Sequence, residues 1–266
     1  MSTDPRELVK QQFGAHADNY VNSTDHSTGE SLDRLLELVS PRPGWRALDV
    51  ATGGGHTALA LAPHVAEVVA TDLTAEMLAA AERFIRARGA ANVSFREADA
   101  TALPFADAEF DLVTCRIAPH HFPDCAQFVR ETARVLKLGG LAAVIDNVVP
   151  DDIAAARHIN ALEKLRDPSH NWAYTAADWL GFFAAAGLQV RHSEIFTKTR
   201  DFDIWNDRME VDERRRAQMR VLLLQAPAAA REALAPQVVG GALKFRLTEV
   251  LIVATKTLST LSDGVP

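Results

Sequence analysis

The stretch LDVATGGGH, residues 48–56, joins an apolar, strand-like segment to a loop made largely of glycine. A helical pattern follows at once, at residues 57–62. Gly53 and Gly55 allow a sharp turn and a close approach of the backbone to a ligand, and the free N–H groups of the next helix point toward that ligand. The stretch therefore predicts a strand–loop–helix unit that binds a nucleotide-type cofactor.

The acid before the loop, Asp49, separates two classes of cofactor. The Gly53-x-Gly55-x-x-Ala58 spacing also fits the dinucleotide fingerprint, with Asp72 near the position of a ribose-binding acid. A carboxylate just before the loop would repel a pyrophosphate and attract a cationic, amine-bearing group. S-adenosylmethionine has such a group and no phosphate, so we expect this cofactor, with S-adenosylhomocysteine as its product.

The composition is that of an ordinary globular protein, since 48% of the 266 residues are hydrophobic and 24% are charged. The net charge of −7 argues against a broad nucleic-acid footprint. No apolar run approaches the roughly 20 residues of a membrane span, and the first residues lack a signal-like apolar core. We expect a cytoplasmic protein that acts on a small molecule, with no nucleic-acid partner and no membrane span; a homodimer stays open.

Strand-like and helical segments alternate between residues 41 and 150, which predicts a largely parallel α/β sheet. The expected strands are residues 46–50, 67–72, 93–97, 110–115 and 141–147. Ligands bind at the carboxyl ends of the strands in such sheets. Four polar residues stand at or just past these ends: Asp49, Asp72, Asp99 and Arg116.

With these motifs, the chain resembles class I S-adenosylmethionine-dependent methyltransferases, closest to the ubiquinone/menaquinone-biosynthesis C-methyltransferase-like (methyltransferase type 11) group. The resemblance covers about residues 10–150. Besides the first loop it rests on TDLTAEML at 71–78, DATALPF at 99–105, FDLV at 110–113 and RVLKLGG at 134–140. It implies an α/β, Rossmann-like fold with a seven-stranded, mostly parallel sheet flanked by helices, and a helical excursion before the last strand.

The resemblance also assigns cofactor contacts. Gly53 and Gly55 lie along the methionine and ribose portions, and Asp49 holds the amino group. Asp72 accepts both ribose hydroxyls, which requires an acceptor with two oxygens. Further contacts are implied at Ala51, where many members have glycine, at Leu73 and Met77 around the adenine, and at Asp99 and Ala100 beside its amino group.

The N-terminal segment resembles the helix that closes over the cofactor, with Tyr20 at the methionine carboxylate. We therefore divide the chain into cofactor-closing helices (1–40), the cofactor-binding α/β core (41–200), a helical lid or substrate excursion (201–248), the last strand (249–258) and a flexible tail (259–266). In the excursion, residues 207–234 are expected to be helical.

The loop after the fourth predicted strand carries the catalytic candidates, His120 and His121. Methyl transfer needs a general base only when the attacking atom must lose a proton, and a histidine titrates near neutral pH. Arg116, just before them, pairs with the cofactor carboxylate or with an anionic substrate; we favour the cofactor. The cysteines and histidines of this loop do not have metal-ligand spacing, so no metal is expected.

Four residues of the variable part are substrate-binding candidates: His170, Trp172, Trp205 and Arg208. Tryptophan and arginine together are typical of a pocket for a planar or anionic small molecule. Two alternatives to a methyltransferase stay open, a nicotinamide-dependent oxidoreductase and a protein that binds S-adenosylmethionine without catalysis. The absence of a Tyr-x-x-x-Lys pair and the presence of Asp49 count against the oxidoreductase.

Overall fold

One twisted sheet organises residues 4–14 and 30–258, the part of the chain that this computed structural model describes. Its strands are β1 (Arg46–Val50), β2 (Glu67–Asp72), β3 (Val93–Glu97), β4 (Phe110–Arg116), β5 (Leu136–Val148), β6 (Leu188–Asp201), β7 (Gln237–Val239) and β8 (Ala242–Lys256). The order is β3-β2-β1-β4-β5-β8-β6, and β7 pairs with β8. The first five strands are parallel to one another, whereas β6, β7 and β8 pair antiparallel.

The predicted fold class is confirmed, and β1, β2 and β3 have the predicted bounds. The described residues form eight strands rather than seven. The additional strand, β7, is only three residues long and reaches β8 through Gly240 and Gly241, whose φ values of 61° and 84° suit a tight hairpin turn. The sequence predicted that the last strand begins at Glu249. Because of the hairpin with β7, β8 instead begins at Ala242.

Helices cover both faces of the sheet. They are α1 (Pro5–Gly14), α2 (Glu30–Val39), α3 (His56–Leu61), α4 (Ala75–Arg86), α5 (Cys125–Val135), α6 (Ile153–Arg166), α7 (Ala176–Ala185), α8 (Phe202–Asp207), α9 (Glu213–Leu224) and α10 (Ala228–Leu234). Side chains of β1 alternate between two cores. Leu48 packs with residues of α5 and α7, and Ala47 with residues of α2, α3 and α4.

The excursion between β6 and β8 has a third core of its own. Phe202 and Trp205 of α8 and Met219 of α9 pack with Phe245 of β8 and with α6. The continuous helical stretch predicted at 207–234 is wrong in this respect: a new helix starts after Asp212, whose side chain accepts the Arg215 N–H, and another starts after Pro227. In the described residues, no helix is both long enough and apolar enough to cross a bilayer.

Candidate active site

A cavity opens at the carboxyl ends of β1, β2 and β4, where parallel sheets of this kind bind ligands. It encloses about 1020 Å³ of empty space, including the solvent at its mouth. Nine of the predicted cofactor residues line it: Asp49, Ala51, Gly53, Asp72, Leu73, Met77, Asp99, Ala100 and Arg116. Residues distant in sequence therefore converge on one cavity.

The glycine-rich loop contains backbone conformations that residues with a side chain rarely adopt. Ala51 and Gly53 have φ values of 51° and 54°, both in the left-handed region. Gly53 N–H donates to Asp72 Oδ2 at 3.0 Å, and Thr52 N–H donates to the Thr71 carbonyl at 2.7 Å. The loop that follows β1 is thus tied to the end of β2.

Gly55 packs closely against helix α4. It does not line the cavity, and a Cβ at this position would lie 2.8 Å from Ile85 Cδ1 and 3.2 Å from Ala81 Cβ. Its φ of 82° also places it in the left-handed region. The absence of a side chain at Gly55 therefore lets α3 start against α4.

Asp49 lies at the base of the cavity with an exposed fraction of 1%. Its two carboxylate oxygens each accept one hydroxyl, from Thr52 at 2.6 Å and from Thr114 at 2.7 Å. Burial raises the pKa of Asp49, while these hydroxyls and nearby Arg116 act in the opposite direction. The Ala58 N–H also stabilises the carboxylate, and since two oxygens offer about four acceptor positions, capacity is left for a hydrogen bond from a ligand amine.

Asp72 ends β2 and organises the backbone around it. Its carboxylate accepts the N–H groups of Gly53 and Thr74, and burial raises its pKa to about 6. Leu73 and Met77 add an apolar wall next to it, and Met77 is 2% exposed. The carboxylate can accept hydrogen bonds from sugar hydroxyls, and the apolar wall can pack against a planar base attached to that sugar.

Asp99 lies at the far end of the cavity and already has several partners. Its Oδ1 accepts the N–H and the hydroxyl of Thr101, and its Oδ2 accepts the Arg6 guanidinium at 2.6 Å. Although partial burial opposes ionisation, these hydrogen bonds hold the pKa of Asp99 below its ordinary value. Ala100 lines the cavity beside it.

Helix α1 forms one wall of the cavity through three residues, of which Arg6 and Val9 were not among the sequence candidates. Arg6, Val9 and Phe13 line it, at the i, i+3 and i+7 positions that share one helix face. That spacing is the signal that identifies them. Tyr20, the predicted contact of the cofactor carboxylate, lies outside the described residues.

Arg116 ends β4 and lines the cavity between Asp49 and the histidine loop. Its Nε–H donates to Thr57 Oγ1 at 3.1 Å. Burial lowers its pKa, while Asp49 and Glu249 act in the opposite direction. Next to it, Ile117 has a φ of 55°, a strained conformation for a β-branched residue, and contributes to the same cavity.

The two histidine candidates differ in position. His121 lines the cavity, where its ring makes an edge contact with Phe13 at 5.0 Å between centroids. His120 points away from the cavity and its Nδ1 lies 2.6 Å from Asp146 Oδ1. Although burial favours the neutral ring, Asp146 raises the pKa of His120.

The four substrate-binding candidates lie outside this cavity. His170 is 1% exposed, and its Nε2–H donates to Asn160 Oδ1 at 2.8 Å. Trp172 donates its backbone N–H to the His120 carbonyl, and Trp205 packs against Phe245 in the third core. Arg208 lies half-buried at the end of α8. Trp205 joins α8 to the sheet, whereas His170 and Trp172 join the loop after α6 to that helix and to the histidine loop. In these positions the candidates do not line the cavity, and a role in substrate binding stays a prediction.

Comparison with known proteins identifies the family of this chain. The methyltransferase domain family matches residues 48–144. The uncharacterized methyltransferase YcgJ of Bacillus subtilis is 37% identical over 193 residues, which cover 73% of this chain and 76% of YcgJ. The crystal structure of BH2331 from Bacillus halodurans C-125 is 39% identical, with a TM-score of 0.82, and the match covers 86% of this chain and all of that one.

A more limited match concerns an enzyme of known name. The demethylmenaquinone methyltransferase of Thermus thermophilus is 43% identical over 115 residues, which cover 42% of this chain and 52% of the relative. The mostly parallel sheet flanked by helices is the fold of the class I methyltransferases. The chain belongs to the methyltransferase family.

Proposed function

We propose that this protein is an S-adenosylmethionine-dependent methyltransferase that acts on a small molecule. One observation carries the proposal: a single cavity presents the acidic and apolar groups that this cofactor requires. Asp49 offers a carboxylate for the amino group, Asp72 two oxygens for ribose hydroxyls, and Asp99 an acceptor for the adenine amino group. The donor and acceptor chemistry of these residues therefore fits the cofactor.

The acceptor end of the cavity supports a small, largely apolar substrate. Its walls there are Ile117, Phe122 and Pro123 from the loop after β4 and Phe13 from α1. These apolar walls adjoin the acidic residues proposed to hold the cofactor, since all of them line the same cavity. This space suits a cofactor together with a small acceptor.

When bound, S-adenosylmethionine supplies a methyl group on a positively charged sulfur. The chain's part is to hold the acceptor in line with that methyl group, to exclude water with α1, and to take up a proton where the acceptor must lose one. His121 is the candidate for the proton, because it lines the cavity and His120 does not. Arg116 and Asp49 orient the amino-acid end of the cofactor.

Titration calorimetry with S-adenosylmethionine, S-adenosylhomocysteine and NAD in parallel tests the proposal. We expect both adenosyl sulfur compounds to bind at micromolar concentration and NAD to show no heat of binding. Binding of NAD alone would make the protein an oxidoreductase. If the adenosyl compounds bind but a broad acceptor screen yields no methylated product, a non-catalytic binding role gains support.

A further inference from the structure

Two residues of the loop that follows α6 contact the ring nitrogens of His121. Its Nδ1 lies 3.2 Å from Ser169 Oγ, and its Nε2 lies 3.9 Å from Asp167 Oδ2. Ser169 Oγ lies 2.5 Å from Asp167 Oδ1, and the Ser169 N–H donates to the same oxygen at 2.8 Å. All three side chains are buried, so these contacts are shielded from water.

The direction of each hydrogen bond follows from the number of protons available. Although burial opposes ionisation, the hydroxyl and the N–H of Ser169, together with nearby Arg166, stabilise the charged carboxylate of Asp167, whose pKa lies below its ordinary value. An ionised carboxylate can only accept, so the single hydroxyl proton of Ser169 is donated to Asp167. The Ser169 oxygen is then left as an acceptor, and the neighbouring Nδ1 of His121 must supply the proton between them.

The ring of His121 is neutral near pH 7. Burial and the neighbouring His120 lower its pKa to about 4, and Arg166 acts in the same direction, while Asp167 and Ser169 oppose them. His170, 6.5 Å away between ring centroids, is itself neutral because burial lowers its pKa to about 2. A neutral imidazole carries one proton, and its second nitrogen is an acceptor.

We propose that Ser169 and Asp167 are positioning residues that fix His121 as its Nδ1–H tautomer, so that Nε2 is the atom that takes a proton from the methyl acceptor. This inference rests on the proposed methyltransferase function. A new N–H bond forms at Nε2 as the acceptor's bond to hydrogen breaks, and the electron pair stays on the acceptor atom, which then bonds to the transferred methyl group. The resulting imidazolium has the Asp167 carboxylate 3.9 Å away, which stabilises its charge.

Long-range ¹⁵N–¹H correlation spectroscopy of the ligand-free protein tests this assignment, because it reports which ring nitrogen carries the proton. The signals of His121 are identified by their loss in His121→Gln. At pH 7 we expect wild-type His121 to show the Nδ1–H tautomer. Ser169→Ala removes the acceptor of that proton and should shift the ring toward Nε2–H, and Ser169→Thr, which keeps a hydroxyl, should restore the wild-type pattern.

Ser193→Ala is the matched control, because it also removes a serine hydroxyl but lies at an exposed position of β6. It should leave the His121 signals unchanged. A wild-type ring in the Nε2–H form overturns the inference without any variant. So does a Ser169→Ala protein whose His121 keeps the wild-type tautomer. Titrating the same samples with S-adenosylhomocysteine separates the two proposals: failure to bind overturns the proposed function, whereas binding with the wrong tautomer overturns only the positioning role.

Discussion

The Arg6 guanidinium donates to the Asp99 carboxylate across 2.6 Å, although 93 residues separate the two in the chain. Arg6 also donates to Thr101 Oγ1 at 3.1 Å, and Lys10 on the next turn of α1 lies 3.8 Å from Glu97. These contacts hold α1 against the loop after β3, and thereby close one side of the cavity. The helix that covers this side of the cavity is thus attached to a residue that lines the cavity.

Arg6→Ala should loosen α1. The pair is partly exposed, with side-chain exposures of 38% and 26%, so its contribution is about 0.5–1 kcal/mol. Hydrogen exchange of residues 5–14 should therefore become roughly two- to fivefold faster. Lys10→Ala is the control, because its contact with Glu97 is longer and more exposed. Equal exchange in both variants would show that Arg6 does not hold the helix.

Binding of S-adenosylhomocysteine should weaken in acid because of Asp72. Burial raises its pKa to about 6, and the protonated carboxyl is a poorer acceptor for ribose hydroxyls. Affinity should be roughly tenfold lower at pH 5 than at pH 7.5. Calorimetry at several pH values measures this, and Asp72→Asn should bind weakly at every pH. A flat profile for the wild-type protein would remove Asp72 from the ribose site.

Ala51→Gly should stabilise the fold. Ala51 has a φ of 51°, which glycine adopts freely, although glycine also gains freedom in the unfolded chain. The net gain should be at most about 1 kcal/mol, seen as a rise in Tm of a few degrees. Ala79→Gly, at an exposed position within α4, should lower stability by about 1 kcal/mol instead. Destabilisation by both changes would contradict the strain at Ala51.

His170→Gln should cost less stability in acid than at neutral pH. Burial lowers the pKa of His170 to about 2, so the folded protein excludes a proton that the unfolded chain binds below about pH 6.5. Protonation of His170 therefore has no effect on the free energy of unfolding well above this pH and lowers it increasingly as the pH falls. The loss on substitution should shrink by about 1 kcal/mol between pH 7.5 and pH 5.5.

Urea unfolding of both proteins at the two pH values measures this difference. His64→Gln is a control, since His64 is an exposed histidine at the end of the short helix after α3. If the loss of stability on His170→Gln does not depend on pH, then His170 can bind a proton in the folded state.

Local sequence determined most of the α/β core. The bounds of β1, β2 and β3, the glycine-rich loop and the acids that follow the strands are all set by neighbours in the chain. Hydrophobic periodicity and turn residues record those neighbours directly. The long β8 and its short partner β7 were not predictable in the same way, because a three-residue strand leaves too short a pattern and is fixed by its pairing.

Only the tertiary structure decided which side chains face the cavity and which are buried elsewhere. Two adjacent histidines have the same local sequence signal, yet His121 faces the cavity while His120 turns to Asp146. Tryptophan is a residue type typical of ligand pockets, but Trp205 is buried in the third core. Sequence by itself specified the glycine-rich loop and the acids at the strand ends, since each of these depends on its neighbours in the chain. The partners of Arg6, His121 and Trp205 depend on packing between segments far apart in the chain, which no local pattern encodes.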